Sequence, residues 1–196
     1  PSVEKPERYI GQEVNSFIKP KEGSVSIALA FPDVYEVGFS NIGFKILYHL
    51  INREEKFLAE RAYCPWFDAE AIMIKEDIPL TTVETWTPLK ELDIIGFTLQ
   101  HELTYTNIIS MLSLSHIPLR SCERPDGPLV IAGGSGSFNS APLDNFIDLF
   151  VLGEGEEVIL EILEAFYRWK FPEKGTKIEL LKRLSKIAGV YVPSFY

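Results

Sequence analysis

The sequence predicts an α/β fold: a doubly wound, Rossmann-like, mostly parallel five-stranded sheet with helices on both faces. Three observations carry that prediction. Apolar runs of strand length alternate with stretches of helical period, which is the pattern of βαβ units. Most of the runs are predominantly apolar, as strands covered on both faces are. Glycines follow several of them, at the points where such a chain turns out of the sheet.

The elements follow in order. Residues 25–31, VSIALAF, lie between Gly23 and Pro32 and form the first strand. Gly43, Ile46, Leu47 and Leu50 then recur at i, i+3, i+4 and i+7, a helix with Ser40 or Asn41 as its N-cap. FLAERAY at 57–63 is the second strand, and DAEAIMIKED after it is a short helix ending before Pro79. DIIGFTL at 93–99 is the third strand, followed by Tyr105, Ile108, Ile109 and Leu112 at helical spacing. PLVIAGG (128–134) and DLFVLG (148–153) are the fourth and fifth. Residues 156–171 form a helix with Ile159, Ile162, Leu163 and Phe166 inward, and Glu154, Glu156 and Glu157 crowd its start, where the helix dipole favours negative charge. A last amphipathic helix, 177–188, ends at Gly189 before a strand-like VYVPSFY.

The chain has 196 residues, 46% of them apolar and 24% charged, which fits one globular core and excludes a disordered or disulfide-scaffold protein. We divide it into an N-terminal arm (1–24), an α/β domain (25–175) and a C-terminal helix and strand (176–196) that lead to a further domain. The opening on Pro1 and the close on Phe195 and Tyr196 directly after a strand predict that more chain follows. A net charge of −9 disfavours nucleic acid, whose phosphates require clustered Lys and Arg. No apolar run reaches the roughly 20 residues that span a bilayer, and residues 1–24 hold no apolar stretch like a secretion signal, so no membrane and a cytoplasmic location are expected. Cys64 and Cys122 stand 58 residues apart, too few thiols for a cubane cluster or a four-cysteine zinc site, and read as reduced, mostly buried side chains. His49, His101 and His116 show no metal-binding spacing.

Doubly wound sheets bind ligands beyond the carboxyl ends of their strands, so four segments carry the functional question: 32–41, 98–107, 133–142 and 153–157. After the first strand a dinucleotide-binding protein carries GxGxxG; this chain has Asp33-Val34-Tyr35-Glu36-Val37-Gly38, whose two carboxylates repel phosphate. A free-standing nucleotide or flavin binder is thereby disfavoured. Gly133-Gly134-Ser135-Gly136 is a small-residue turn on which a flat or elongated ligand could lie against backbone, or a tight structural turn. Gly153-Glu154-Gly155-Glu156 is a strand-to-helix turn that acid capping also explains.

Taken together, Asp33-x-Tyr35-x-x-Gly38, Gly96-Phe97-Thr98-Leu99-Gln100, Val130-Ile131-Ala132-Gly133-Gly134 and the GEGE after Asp148 resemble the cobalamin-binding domain that precedes the catalytic barrel in many radical S-adenosylmethionine (radical SAM) enzymes. The resemblance spans about 25–170. More narrowly, KPERYIGQEVN, AFPDVYEVGFSNIG, AERAYCPWFDAE and GFTLQHELTYTNI look like the amino-terminal part of a radical SAM family of iron–sulfur oxidoreductases. The resemblance implies a 4Fe-4S cluster and S-adenosylmethionine in a downstream barrel domain only, beyond this chain, which by itself is expected not to catalyse. It also implies cobalamin along the carboxyl edge, with Asp33, Tyr35 and Gly38 on its lower face, Thr98 and Gln100 toward the nucleotide tail, Gly133 and Gly134 beside the tail, and Gly153, Glu154 and Gly155 on the far side. In such domains the histidine of DxHxxG ligates cobalt, its other nitrogen oriented by the aspartate. Tyr35 stands in that place, and a phenol with a pKa of about 10 is a poor ligand at neutral pH. Two alternatives stay open: cobalamin without a histidine ligand, or a retained fold that has lost the cofactor and serves as a scaffold. Trp66 and Trp86 are core or interface anchors, assigned to no site.

Overall fold

A computed structural model describes residues 3–171 and 175–196. Pro1 and Ser2, the first two positions of the predicted arm, and 172–174 beside the predicted boundary at 175 lie outside the described residues. The sheet has six strands: β1 (Val25–Phe31), β2 (Phe57–Tyr63), β3 (Ile94–Thr98), β4 (Leu129–Gly133), β5 (Leu149–Val151) and β6 (Val190–Tyr191). Their order is β2-β1-β3-β4-β5-β6; the first five run parallel and β6 pairs antiparallel with β5. The predicted α/β sheet is present with one strand more than expected. The tail narrows to a two-residue strand because Pro193 ends the ladder and opens a 3-10 turn.

Helices α1 (Tyr35–Ser40), α2 (Ile42–Arg53), α3 (Phe67–Glu76), α4 (Tyr105–Leu114), α5 (Gly155–Lys170) and α6 (Lys177–Leu184) connect the strands. Strand alternation sends Ile27, Leu29, Ile94, Ile131 and Leu149 into a core with α2, α5 and α6. Ala28, Ile95, Phe97, Val130 and Phe150 point the other way, into a second core with α4.

Three expectations need correction. The inward face of α2 is Phe44, Tyr48 and Ile51, one position along from the predicted stripe, and Ile46 is exposed, because the bulky rings have more apolar area to bury. The last helix stops at Leu184, four residues early; Gly189 still makes the turn into β6 at φ +82°, where a Cβ would sit 2.8 Å from the Leu152 carbonyl oxygen. Of the two cysteines, both free, Cys122 is exposed rather than buried. Between β4 and β5 the Gly- and Ser-rich segment makes two 3-10 turns, Ser135–Asn139 and Ala141–Leu143, in place of a covering α-helix.

The amino edge of the sheet is bolted by two aspartates. Asp93 Oδ2 accepts from the Ser26 backbone N–H (2.9 Å), the Ser26 hydroxyl (3.0 Å) and Lys170 (2.8 Å). Asp148 Oδ2 accepts from the Val130 N–H (2.8 Å), Arg124 (3.4 Å) and Lys177 (3.0 Å), and the buried Arg124 also donates to the carbonyls of Pro118, Leu119 and Phe146. At the β2 flank, the arm and the segment 80–88 cover the edge strand. Val83 donates its N–H to the Arg61 carbonyl (2.9 Å), and buried Arg61 pairs with Glu84 (2.7 Å) and with Glu13 of the arm (2.6 Å).

Candidate functional site: a glycine-floored cleft at the carboxyl edge

The strand order reverses direction between β1 and β3, and that switch point at the carboxyl edge is where doubly wound sheets take ligands. A cleft of about 500 Å³ opens there between α2 and α5. Its depth comes from missing side chains. On the α2/α5 face β1 contributes Ile27 and Leu29, but β3 contributes Gly96 and β4 ends in Gly133. A Cβ on Gly96 would stand 3.2 Å from Ile27 Cδ1 and 3.6 Å from Ile131 Cγ1; one on Gly133 would stand 3.4 Å from Val151 Cβ. A strip of bare backbone thus floors the cleft between the two helices.

The walls are apolar, from Phe44 and Leu47 of α2 to Val151 and Ile159, and the mouth is polar, with Asn41, Thr98, Gln100, Ser135, Glu154 and Glu156. Asn41 Oδ1 caps α2 by accepting the Phe44 N–H at 2.9 Å. At the start of α5 the N-cap Glu154 makes no side-chain cap bond, which leaves the first N–H groups of that helix without a side-chain acceptor. Gly134 takes φ +116° with its α-carbon so close to β3 that a Cβ would lie 2.4 Å from the Leu99 carbonyl oxygen. Gly153, at φ +101°, turns the chain from β5 into α5 with open space around it. Beside the cleft lies a more polar hollow of about 550 Å³, lined by Asp33, Ser40, His101 and Thr104, that shares Asn41, Gly43, Thr98 and Gln100 with it.

Of the ten residues singled out from sequence, seven line this one cleft: Thr98, Gln100, Gly133, Gly134, Gly153, Glu154 and Gly155. Asp33 lines the adjoining hollow, where its Oδ1 accepts the Val34 N–H at 2.7 Å. Tyr35 and Gly38 are elsewhere. The Tyr35 ring stacks on Phe39 (5.2 Å) and meets Tyr63 edge-on (5.1 Å), and burial, reinforced by Glu13, pushes its hydroxyl pKa upward. Gly38 is pressed against the Tyr63 and Phe31 rings, which a Cβ would meet at 2.6–2.8 Å. Trp66 and Trp86 are half-exposed and tied to Tyr9 of the arm, not part of either core.

Gly96 also floors the cleft, although it is not among the ten residues singled out from sequence. The signal was available, since an isolated glycine inside an otherwise apolar strand marks a close approach of ligand or backbone. Among the described residues, no three His, Cys, Asp or Glu side chains come together as a metal-binding group. No helix among them is long and apolar enough to cross a membrane.

The family described as radical SAM proteins, N-terminal, matches residues 43–193, more than half of the chain, from the first turn of α2 through β6. No curated protein and no solved structure matches the chain.

Proposed function

The chain belongs to the family of N-terminal regions of radical SAM proteins, and from that premise we propose that it is a non-catalytic, ligand-holding module whose cleft takes the nucleotide tail of cobalamin, with no protein ligand to the cobalt. The single observation that carries this reading is the strip of bare backbone at Gly96 and Gly133, a cradle that any larger side chain would fill, lying between two helices at the switch point. A slender tail fits such a slot, and the wider corrin would rest on the rim. There Thr98 and Gln100 offer hydroxyl and amide groups, and the first turn of α5 offers N–H groups. Tyr35 is turned into an aromatic cluster and supports binding without an axial side chain. When bound, cobalamin supplies group-transfer chemistry to a neighbouring active site. The residues here bind and orient, while the 4Fe-4S cluster and S-adenosylmethionine belong to a downstream barrel domain, the partner this module serves.

A second reading, a scaffold that shapes the barrel's entrance without a cofactor, is favoured by exposed apolar side chains in the segments that follow the strands: Val37 in α1, Ile42 at the start of α2, and Leu103 and Phe138 in 3-10 turns. Titration with hydroxocobalamin, followed by desalting and absorbance, separates the two. Retained corrin at about one equivalent, with a spectrum lacking histidine ligation, is expected; loss of all corrin on the column at saturating load overturns the first reading in favour of the second.

A further inference from the structure

The polar hollow beside the glycine-floored cleft holds uncommitted hydrogen-bonding groups. It lies over the carboxyl ends of β1 and β3 and shares Asn41, Gly43, Thr98 and Gln100 with the cleft, so the two are chambers of one site. Each falls in the size range of small-molecule sites, roughly 300–1,000 Å³. Asp33 Oδ1 accepts the Val34 N–H, which leaves Oδ2 spare. Asn41 Oδ1 is committed to the Phe44 N–H, which fixes how the amide is turned and leaves Nδ2 as a donor. Asp33 Oδ2, Asn41 Nδ2 and Thr98 Oγ1 have no hydrogen-bond partner among the described residues, and none of the three is enclosed in protein. The exposed side-chain amide of Gln100 is equally uncommitted.

A carboxylate oxygen that accepts, beside amide hydrogens that donate, is the complement of a vicinal diol, whose hydroxyls do both. An acidic residue meets the ribose hydroxyls of dinucleotides in the same way. Phosphate is refused: the charged residues that line the two chambers are Asp33, His101, Glu154 and Glu156, with no Lys or Arg among the described lining. The cleft suits a planar ring, laid on the bare backbone of Gly96 and Gly133 between apolar walls. Gly133 of β4 pairs with Thr98 of β3, and Phe97 with Ala30 of β1, so the cleft floor and the chain leaving β1 toward Asp33 are two strand spacings apart, roughly 10 Å. A base joined to a ribose bridges that span. We propose that cleft and hollow together bind a neutral nucleoside, its base over Gly96 and Gly133 and its ribose diol on Asp33 Oδ2, with Asn41 and Gln100 donating to the ribose oxygens. The inference goes beyond the corrin reading and stands on the hollow; a nucleoside bound this way fills the cleft in place of the cobalamin tail. A base alone would leave Asp33 and Asn41 without partners, and a sugar alone would leave the apolar walls hydrated.

Calorimetric titration of the whole chain with adenosine, 2′-deoxyadenosine and adenosine 5′-monophosphate tests this. Saturable adenosine binding is expected, about tenfold weaker for 2′-deoxyadenosine, because the missing hydroxyl donates to a charged acceptor. The monophosphate, which brings about two negative charges toward the carboxylates, binds more weakly than adenosine. Asp33→Ala lowers adenosine affinity about tenfold and brings the two nucleosides to within about twofold of each other, a loss of discrimination that a merely structural change would not produce. Where Asp33→Ala fails to give a native circular-dichroism spectrum, Asp33→Asn serves in its place. Gly133→Leu, which obstructs the cleft, lowers the affinity for both nucleosides. No saturable adenosine binding, equal affinity of the wild-type chain for the two nucleosides, discrimination kept in Asp33→Ala, tighter binding of the monophosphate than of adenosine, or unchanged binding in Gly133→Leu overturns the proposal. Hydroxocobalamin retention, read separately, keeps the two readings apart: adenosine binding without retained corrin overturns the cobalamin reading alone, and retained corrin without adenosine binding overturns this one alone.

Discussion

The two edges of the sheet are built on opposite principles. At the amino edge polar groups are densely paired: Asp93 and Asp148 each gather three donors and tie a strand start to its neighbour, and Arg124, 1% exposed, directs its two terminal nitrogens to three carbonyls and a carboxylate. At the carboxyl edge the same strands end in Gly133, Thr98 and turns at Gly134 and Gly153, with the cleft between α2 and α5 opening there. Both edges belong to one cooperative sheet, so stability is concentrated at one end and the other is left free to bind. The difference teaches that substitutions at the two ends should separate folding from ligand retention.

The largest expected effect falls at the amino edge. Asp148→Ala leaves the buried guanidinium of Arg124 without its carboxylate and the Val130 N–H without its acceptor, and should cost about 3–5 kcal/mol. Urea unfolding measures it; well below the new midpoint, corrin retention should be unchanged. A loss under about 1 kcal/mol would mean that this edge is not the anchor.

Gly133→Leu makes the converse case. Its Cβ meets only Val151 at an ordinary distance and the side chain extends into the cleft, so a stability change within about 1 kcal/mol is expected together with loss of corrin retention. Retention at the native level would show that the ligand does not use the strip of bare backbone. Tyr35→His sharpens the point. Because the ring at this position packs among Phe39 and Tyr63 rather than on the cleft, the substitution should produce no histidine-ligated cobalt spectrum, although it restores the residue of the DxHxxG pattern.

How much of this was legible in the sequence follows from the range of the forces involved. Five strands could be located from largely apolar runs because burial on both faces favours apolar side chains, and the seven cleft residues sit at or just past the carboxyl ends of those runs, where topology alone brings them together. The phase of α2 was not legible: in IGFKILYHLI apolar side chains occur all round, and only the sheet decides that Phe44 and Tyr48 turn inward. Nor was the direction of Tyr35, which depends on Glu13 and Tyr63, 22 and 28 residues away in sequence. Glu60 and Arg61 in the middle of FLAERAY did announce partners, since buried charges are paired, but not that Thr82, Glu84 and the arm would supply them.

The smallest expected effect concerns how the arm is held. Arg8, and then the backbone N–H of Glu36 itself and Lys5, pull the Glu36 carboxyl down to about 2 from its ordinary value near 4.5. A carboxylate whose folded-state pKa is depressed contributes attachment that is complete above the ordinary value and is lost as pH falls from about 4.5 toward 2. Glu36 is largely exposed, so the contribution is at most about 1 kcal/mol and screened by salt: the arm should loosen before the sheet unfolds. Arg8 lies over the Trp66 ring at 5.5 Å, which makes tryptophan emission the reporter. Between pH 6 and 3 the wild-type chain should show an emission change that Glu36→Gln lacks, because its arm is already loosened at pH 6, and 0.5 M salt should shrink the difference. Identical titrations of the two proteins would place the hold on the arm elsewhere, at Arg61 and Glu13, and would make the β2 flank, like the amino edge, a structure secured by buried rather than exposed charge.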